Sequence, residues 1–359
     1  MALTIGIDFG SDSVRAVLVD TADGSILSTS EFAYPRWKAG LYSDASRAQF
    51  RQHPLDYLEG VEAVVRGVLE GQDASRVRGI GVDTTGSTPC AVDAAGVPLA
   101  LHPEFAGNPD AMFVLWKDHT GEEESEAINE AARRGAVDYT RYEGGCYSPE
   151  WFWSKYLHVL RSGEALRKAC SSFVEHCDWI TACLTGGAIK PSRCAAGHKA
   201  MWHPDWDGLP PEEFLVSVDP LLAGRRAAMY RETYTADQPV GTLSREWAAR
   251  LGLREDTVVA VGIIDCHSGA VGAGVRPGTL VRWSAPAPAT FWLRQRSRNA
   301  FPASAGRWTA PSSPAILDWR RDSPPSAMST RGSGASLAMR EMCRWRSWSA
   351  TLPRCLLGR

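Results

Sequence analysis

No stretch of this 359-residue chain is apolar for long enough to span a bilayer. Its first residues, MALTIGIDFGSDSVRAVLVD, lack the basic segment and long apolar core of a secretory signal. Net charge is nearly absent: 39 Lys and Arg against 41 Asp and Glu leave −2, so neither nucleic acid nor a membrane is expected as partner. The nine cysteines (90, 146, 170, 177, 183, 194, 266, 343, 355) include no C-x-x-C pair, which argues against a zinc or disulfide framework. Reduced thiols in a cytoplasmic protein are expected instead. What is there is length enough for a large core and for two or three domains.

Residues 3–9 read as a buried strand, 10–12 as a tight turn and 14–19 as a second strand, with a third after the turn at DTADGSIL. Leu55, Leu58, Val61, Val64, Val65 and Val68 predict an amphipathic helix over 54–69, with Pro54 in its first turn. VRGIGVD follows as a buried strand, and the alternation of strand, helix and strand predicts an α/β layer structure. Helices are expected over 120–135 and 150–170, and a loop-rich stretch over 190–211. Residues 258–265 read as one apolar strand, with a small-residue helix starting at Cys266.

Three groups of residues carry chemistry. Asp8, ending the first strand before Gly10, Ser11 and Ser13, suits a phosphate site whose backbone N–H groups face oxygens while the carboxylate holds Mg²⁺ or its waters. The same residues also suit an ordinary hairpin. Asp265, delivered by an apolar strand, suits a general base for a hydroxyl attacking phosphorus, or an N-cap for the following helix, or both. Cys266 and His267 lack further ligands at metal spacing. Asp83–Thr88, Trp116–His119 and Gly197–Lys199 could grip a polyol, which needs paired hydroxyl partners and an aromatic face. A core role for Trp116 and a solvated one for Lys199 stay open on the residues alone.

Taken in order, GIDFGSDSVRAVLVD, GIGVDTTGSTP, MFVLWKDHT, GGCYSPEWFWSK, SRCAAGHKAMW and VGIIDCHSGAVGAGV resemble the FGGY family of carbohydrate kinases, above all its ribulokinase branch. The resemblance covers about residues 3–282. It implies an actin/hexokinase-like (ribonuclease H-like) α/β fold with a sugar-binding domain over 1–264 and the start of an ATP-binding domain over 265–282. It further implies transfer of phosphate from ATP, with Mg²⁺, to the 5-hydroxyl of L-ribulose in arabinose catabolism. In that family pattern Asp265 is the base and also touches sugar. Asp8 positions the metal, with Gly10, Ser11, Ser13 and Arg15 around the phosphates, and Ser87, Trp116, Asp118 and Lys199 line the sugar pocket. Glycerol kinases resemble the turn at 86–88 but place Arg-Glu there. A kinase for another pentulose or pentitol, a sugar-binding remnant without catalysis and an actin-like ATPase are the rival readings. A homodimer is one assembly open to the full-length enzyme.

From Trp283 onward the composition breaks. The last stretch holds six of the 14 tryptophans, twelve arginines, twelve serines and eight prolines, but three acidic residues and no lysine or tyrosine. The family's Gly-Thr-Ser phosphate turn is missing there. Moving the frame back by one base lets the codons of residues 283–292 read Val-Val-Gly-Thr-Ser-Thr-Cys-Asp-Ile-Leu, which restores that turn. The same move over 301–315 and 318–331 permits two further family-like runs. One frameshift near Arg282 accounts for all three. Residues 283–359 are therefore expected to be out of frame and disordered, the second domain truncated and the chain as written inactive, with an apolar patch around 268–281.

Overall fold

The computed structural model describes residues 2–276, 278–283, 289–295 and 315–318. These fall in one compact unit, residues 1–320. Strands β1 (Leu3–Phe9), β2 (Ser13–Asp20) and β3 (Ile26–Ala33) form an antiparallel meander, as the alternation predicts. Helix α1 (Pro35–Lys38) and the short strands β4 (Ser43–Asp44) and β5 (Gln49–Gln52) lead into α2. Helix α2 spans Pro54–Leu69, the range the apolar spacing predicts, and buries Val61, Val64, Val65 and Val68. Glycine sits where it crosses the sheet: a Cβ on Gly60 would lie 2.6 Å from Val14 Cγ1.

Strand β6 (Val77–Thr84) returns parallel to β1, pairing Gly6 with Gly81, Ile7 with Val82 and Asp8 with Asp83. A helical layer then interrupts the sheet. It contains β7 (Pro89–Val92), β8 (Phe113–Val114), α3 (Glu122–Arg134), α4 (Phe152–Ser162) and α5 (Glu164–Ala169). The single helix expected over 150–170 is two, because Gly163 takes an extended conformation between them. Strand β9 (Ser172–Glu175) pairs antiparallel with β7 and runs into α6 (His176–Thr185).

Helix α7 (Arg193–Lys199) lies inside the stretch expected to be loop-rich. Cys194 through Lys199 are all buried, so the segment has no polar face and no amphipathic period to read. After α8 (Glu212–Val218), strand β10 (Pro239–Thr242) and α9 (Arg245–Leu251), the chain re-enters the main sheet. The apolar run 258–265 is not one strand but β11 (Val258–Ala260) and β12 (Ile263–Ile264). Both pair parallel with β6, and the four steps' worth of chain from Val259 to Ile263 faces three on β6, from Ile80 to Asp83. The extra residue is a bulge, and Val261 turns its N–H to Gln238 O at 2.9 Å. The sheet order is β10-β11-β6-β1-β2-β3, with β12 beside the far end of β6.

Helix α10 (Asp265–Gly272) follows β12, one residue earlier than expected. Beyond it, β13 (Leu280–Trp283), β14 (Ala289–Gln295) and β15 (Ala315–Asp318) pair antiparallel in that order. Residues 289–295 and 315–318, part of the tail expected to be disordered, are thus strands. The rest of the expected disordered tail, residues 284–288, 296–314 and 319–359, lies outside the described residues. Val271 and Leu280 are exposed, the large apolar members of the region where a patch is expected. Cys90, Cys170, Cys177, Cys183, Cys194 and Cys266 are free thiols, but Cys146 is disulfide-bonded, which departs from the expectation for that residue. Among the described residues no helix is long and apolar enough to cross a membrane.

Candidate functional site

Parallel strands β1, β6 and β12 end side by side, and ligands of parallel sheets gather at such carboxyl ends. Asp8 and Asp83 are register partners there, and Asp265 follows directly from Ile264, the partner of Thr84. Burial, reinforced by the charge of Asp8, pushes the Asp265 carboxyl up to about 6, although the Cys266 N–H and the charge of Lys199 pull it back. Asp83 is pushed up to about 8 by burial, by the Asp8 charge and by a hydrogen bond with Asp8, against a hydrogen bond from Ser268. Cys266 N donates to Asp265 Oδ1 at 2.6 Å; Asp265 is the first residue of α10, whose N-cap is Ile264, and its carboxyl feels the charge of Asp8 and acts on Asp83.

The β1–β2 turn holds the residues expected around phosphate. Arg15 Nη2 lies 3.3 Å from Asp8 Oδ2 across the hairpin, with the two side chains 56% and 39% exposed. Gly10 N donates to Ser13 O at 3.0 Å, and a Cβ on Gly10 would lie 3.1 Å from that oxygen. Ser11 is held at two points: its carbonyl accepts from Gln52 Nε2 at 2.5 Å and its hydroxyl from Trp116 Nε1 at 2.8 Å. Ser13 is buried and its hydroxyl donates to Glu31 at 2.7 Å, which turns it towards β3.

The turn after β6 is built differently. Ser87 donates its hydroxyl to Glu175 Oε1, and Thr88 N donates to Glu175 Oε2 at 2.9 Å. Lys155 Nζ donates to Ser87 O at 2.7 Å, to Leu115 O at 3.0 Å and to Val114 O at 3.3 Å. Gly86 allows close packing, since a Cβ there would lie 2.7 Å from the Ile264 side chain. Lys199, buried at the end of α7, stands 5.3 Å from the centre of the Trp151 ring, and its charge reaches Asp265, Glu150 and Glu175. Trp116 therefore touches the β1–β2 turn, while Lys199 and Asp265 sense each other.

Asp118 is elsewhere. Its side chain is fully buried and paired with the fully buried guanidinium of Arg51. It also accepts from Phe50 N at 2.6 Å, Thr120 N at 3.0 Å and Thr120 Oγ1 at 2.6 Å. Each of its two oxygens thus accepts from two protein donors, where the family pattern expects it to line the sugar pocket. Behind Asp265, His267 Nδ1 contacts Cys194 Sγ, and burial pushes the imidazole down to about 3, so it is neutral. Lys155 and Glu175 are the residues that sequence reasoning left out of the site, and Asp83, read there only as part of a polyol-gripping turn, stands as the register partner of Asp8. A signal existed for Asp83: Gly81-Val82-Asp83 repeats Gly6-Ile7-Asp8, and the two triplets are register partners.

The sequence pattern described as "FGGY family of carbohydrate kinases, N-terminal domain" matches residues 3–272. The chain is 50% identical over 286 residues to a ribulokinase from Vibrio parahaemolyticus, covering 77% of this chain and 50% of that one. It is 38% identical over 287 residues to a ribulokinase from Shouchella clausii, covering 77% and 51%. The chain thus spans about half the length of the curated relatives it matches. Among solved structures, a xylulose kinase from Lactobacillus acidophilus superposes with a TM-score of 0.65 at 14% identity, over 88% of this chain and 59% of that one. A Plasmodium falciparum glycerol kinase with ADP gives 0.66 at 13%, over 95% and 64%. At those identities the likeness is one of fold.

Proposed function

The chain belongs to the FGGY family of carbohydrate kinases, and from that premise we propose that it is the sugar-binding part of an ATP-dependent kinase of L-ribulose. The observation that carries the reading is the placing of Asp265 and Asp8 at the carboxyl ends of parallel strands, with the charge of Lys199, at the end of α7, acting on Asp265. Asp265 takes the proton of the 5-hydroxyl as that oxygen attacks the terminal phosphorus of ATP, and the leaving diphosphate keeps the bonding electrons. A carboxyl held near 6 accepts a proton more readily than an exposed one and is still ionised at neutral pH. Lys199, Ser87 and Trp116 line the sugar side. Gly10, Ser11 and Arg15 face the phosphates, with Ser13 supporting their turn.

The divalent ion is Mg²⁺ in this reading, beside Asp8. Among the described residues no three His, Cys, Asp or Glu side chains could hold a metal by themselves. That suits Mg²⁺, which keeps several waters and takes one or two carboxylates plus phosphate oxygens. Bound there, it would neutralise phosphate charge. Residues 1–264 form the sugar-binding domain, 265–282 begin the ATP-binding domain, and the sequence after Arg282 comes from a shifted frame.

Titration calorimetry of the 359-residue chain should show heat with L-ribulose and little with glycerol, and a coupled assay with ATP should show negligible turnover. Absence of L-ribulose binding overturns the substrate, and a normal kinase rate overturns the shifted frame. Sequencing across codons 275–290 decides the frame directly.

A further inference from the structure

Residues 144–155 take no part in the chemistry just described, yet their side chains bond to three segments that carry it. Lys155 Nζ reaches the carbonyls of Ser87, Val114 and Leu115, the last directly before Trp116. Tyr147 donates its hydroxyl to Lys199 O at 2.5 Å and accepts from Trp153 N at 3.0 Å. Trp153 Nε1 donates to Ala200 O at 2.9 Å. All six bonds are buried.

We propose that Lys155 and Tyr147 are positioning residues: they form one brace that fixes the Ser87 turn and the Trp116 segment relative to Lys199, and so set which sugar the pocket accepts. This rests on the sugar-site reading above. The chemistry of the cradle supports it. An ammonium has three N–H donors, and three carbonyl oxygens meet them. Burial alone would pull that ammonium down towards neutrality, and Glu175 and Glu150 pull it back. Glu175 grips the other side of the same residue, taking the Ser87 hydroxyl and Thr88 N–H. Ser87 is thus held by its carbonyl from one charge and by its hydroxyl from the other. None of these side chains needs to touch sugar; each holds the backbone of a segment that carries a sugar-side residue.

The test is hydrogen exchange, read by peptide, on the full 359-residue chain, together with calorimetric binding of L-ribulose. Lys155→Met should speed exchange about tenfold in peptides covering 86–90 and 113–118, leave β1–β3 unchanged, and weaken L-ribulose binding about tenfold. Tyr147→Phe should act at 199–202 and at the Trp153 amide, with a loss of affinity of a few fold. A uniform rise in exchange, or none in those peptides, overturns the brace, as does unchanged L-ribulose affinity in both variants. If Lys155→Met does not fold, Tyr147→Phe decides alone: unchanged exchange at 199–202 overturns the proposal. If the unsubstituted chain binds no pentulose, the sugar reading and the specificity role fall together, while the exchange pattern still decides whether the brace exists.

Discussion

The turns that end β1 and β6 sit side by side but are made from opposite materials. The first, Gly10–Ser13, is the more open, although Ser13 is buried: Asp8 and Arg15 flank it with more than a third of their side chains in solvent. The second, Thr85–Thr88, is buried at Thr85, Ser87 and Thr88 and clamped between two buried charges, Glu175 and Lys155. A surface that must receive a strongly charged, mobile phosphate group leaves its charges hydrated until the ligand arrives. A surface that must tell one small polyol from another is set in advance, because an unmatched buried hydroxyl costs on the order of 1–3 kcal/mol.

The sharpest way to break this contrast is Glu175→Ala. It leaves Lys155 without its counter-charge and frees the Ser87 turn, and urea denaturation should show a loss of about 3–5 kcal/mol. Next is the pH dependence of Asp265→Asn. The Asp265 carboxyl is raised in the folded chain, so its contribution to stability is intact below the unfolded value and is lost as pH rises through about 6. The unsubstituted chain should therefore fall behind the Asn variant between about pH 4 and 7, by about 3 kcal/mol at the top. A constant gap across that range would mean the carboxyl is not buried as described. Gly262→Ala comes third: its Cβ would lie 2.4 Å from Cys177 O, and backbone there must move, costing about 1–3 kcal/mol in thermal denaturation. The smallest effect belongs to the open turn. Arg15→Ala should change stability by about 0–1 kcal/mol, since the pair with Asp8 is solvent-screened. A larger loss would put the two turns in the same class.

What the sequence made legible is the part whose periodicity is local. The meander and α2 follow from alternation and from apolar spacing, and Asp8 and Asp265 follow from acidic residues at strand ends. Partners far along the chain were not legible. Trp116-Lys117-Asp118-His119 reads as a polar rim, but Arg51, 67 residues earlier, takes Asp118 into the core. Lys155 looks like one more polar residue of a helix until Ser87, Val114 and Leu115 are brought to it. Helix α7 was hidden because every side from Cys194 to Lys199 is covered, so Lys199 seemed to lie in a loop. Residues whose role depends on being wholly buried leave no polar-apolar rhythm behind.

The bulge between β11 and β12 has a consequence for how this chain can vary in length. Side chains along a strand alternate between faces, so removing one residue between Val259 and Ile263 would pair β12 with β6 in perfect step. Ile263 would still face Asp83, so Asp265 would keep its side of the sheet; taking out Ile264 instead would set Asp265 opposite Thr84 and turn its side chain to the other face. Surface loops elsewhere can gain or lose residues with little penalty. At 263–265 a single deletion is expected to turn the carboxylate away from Asp8, because there the number of residues, more than their kind, aims it.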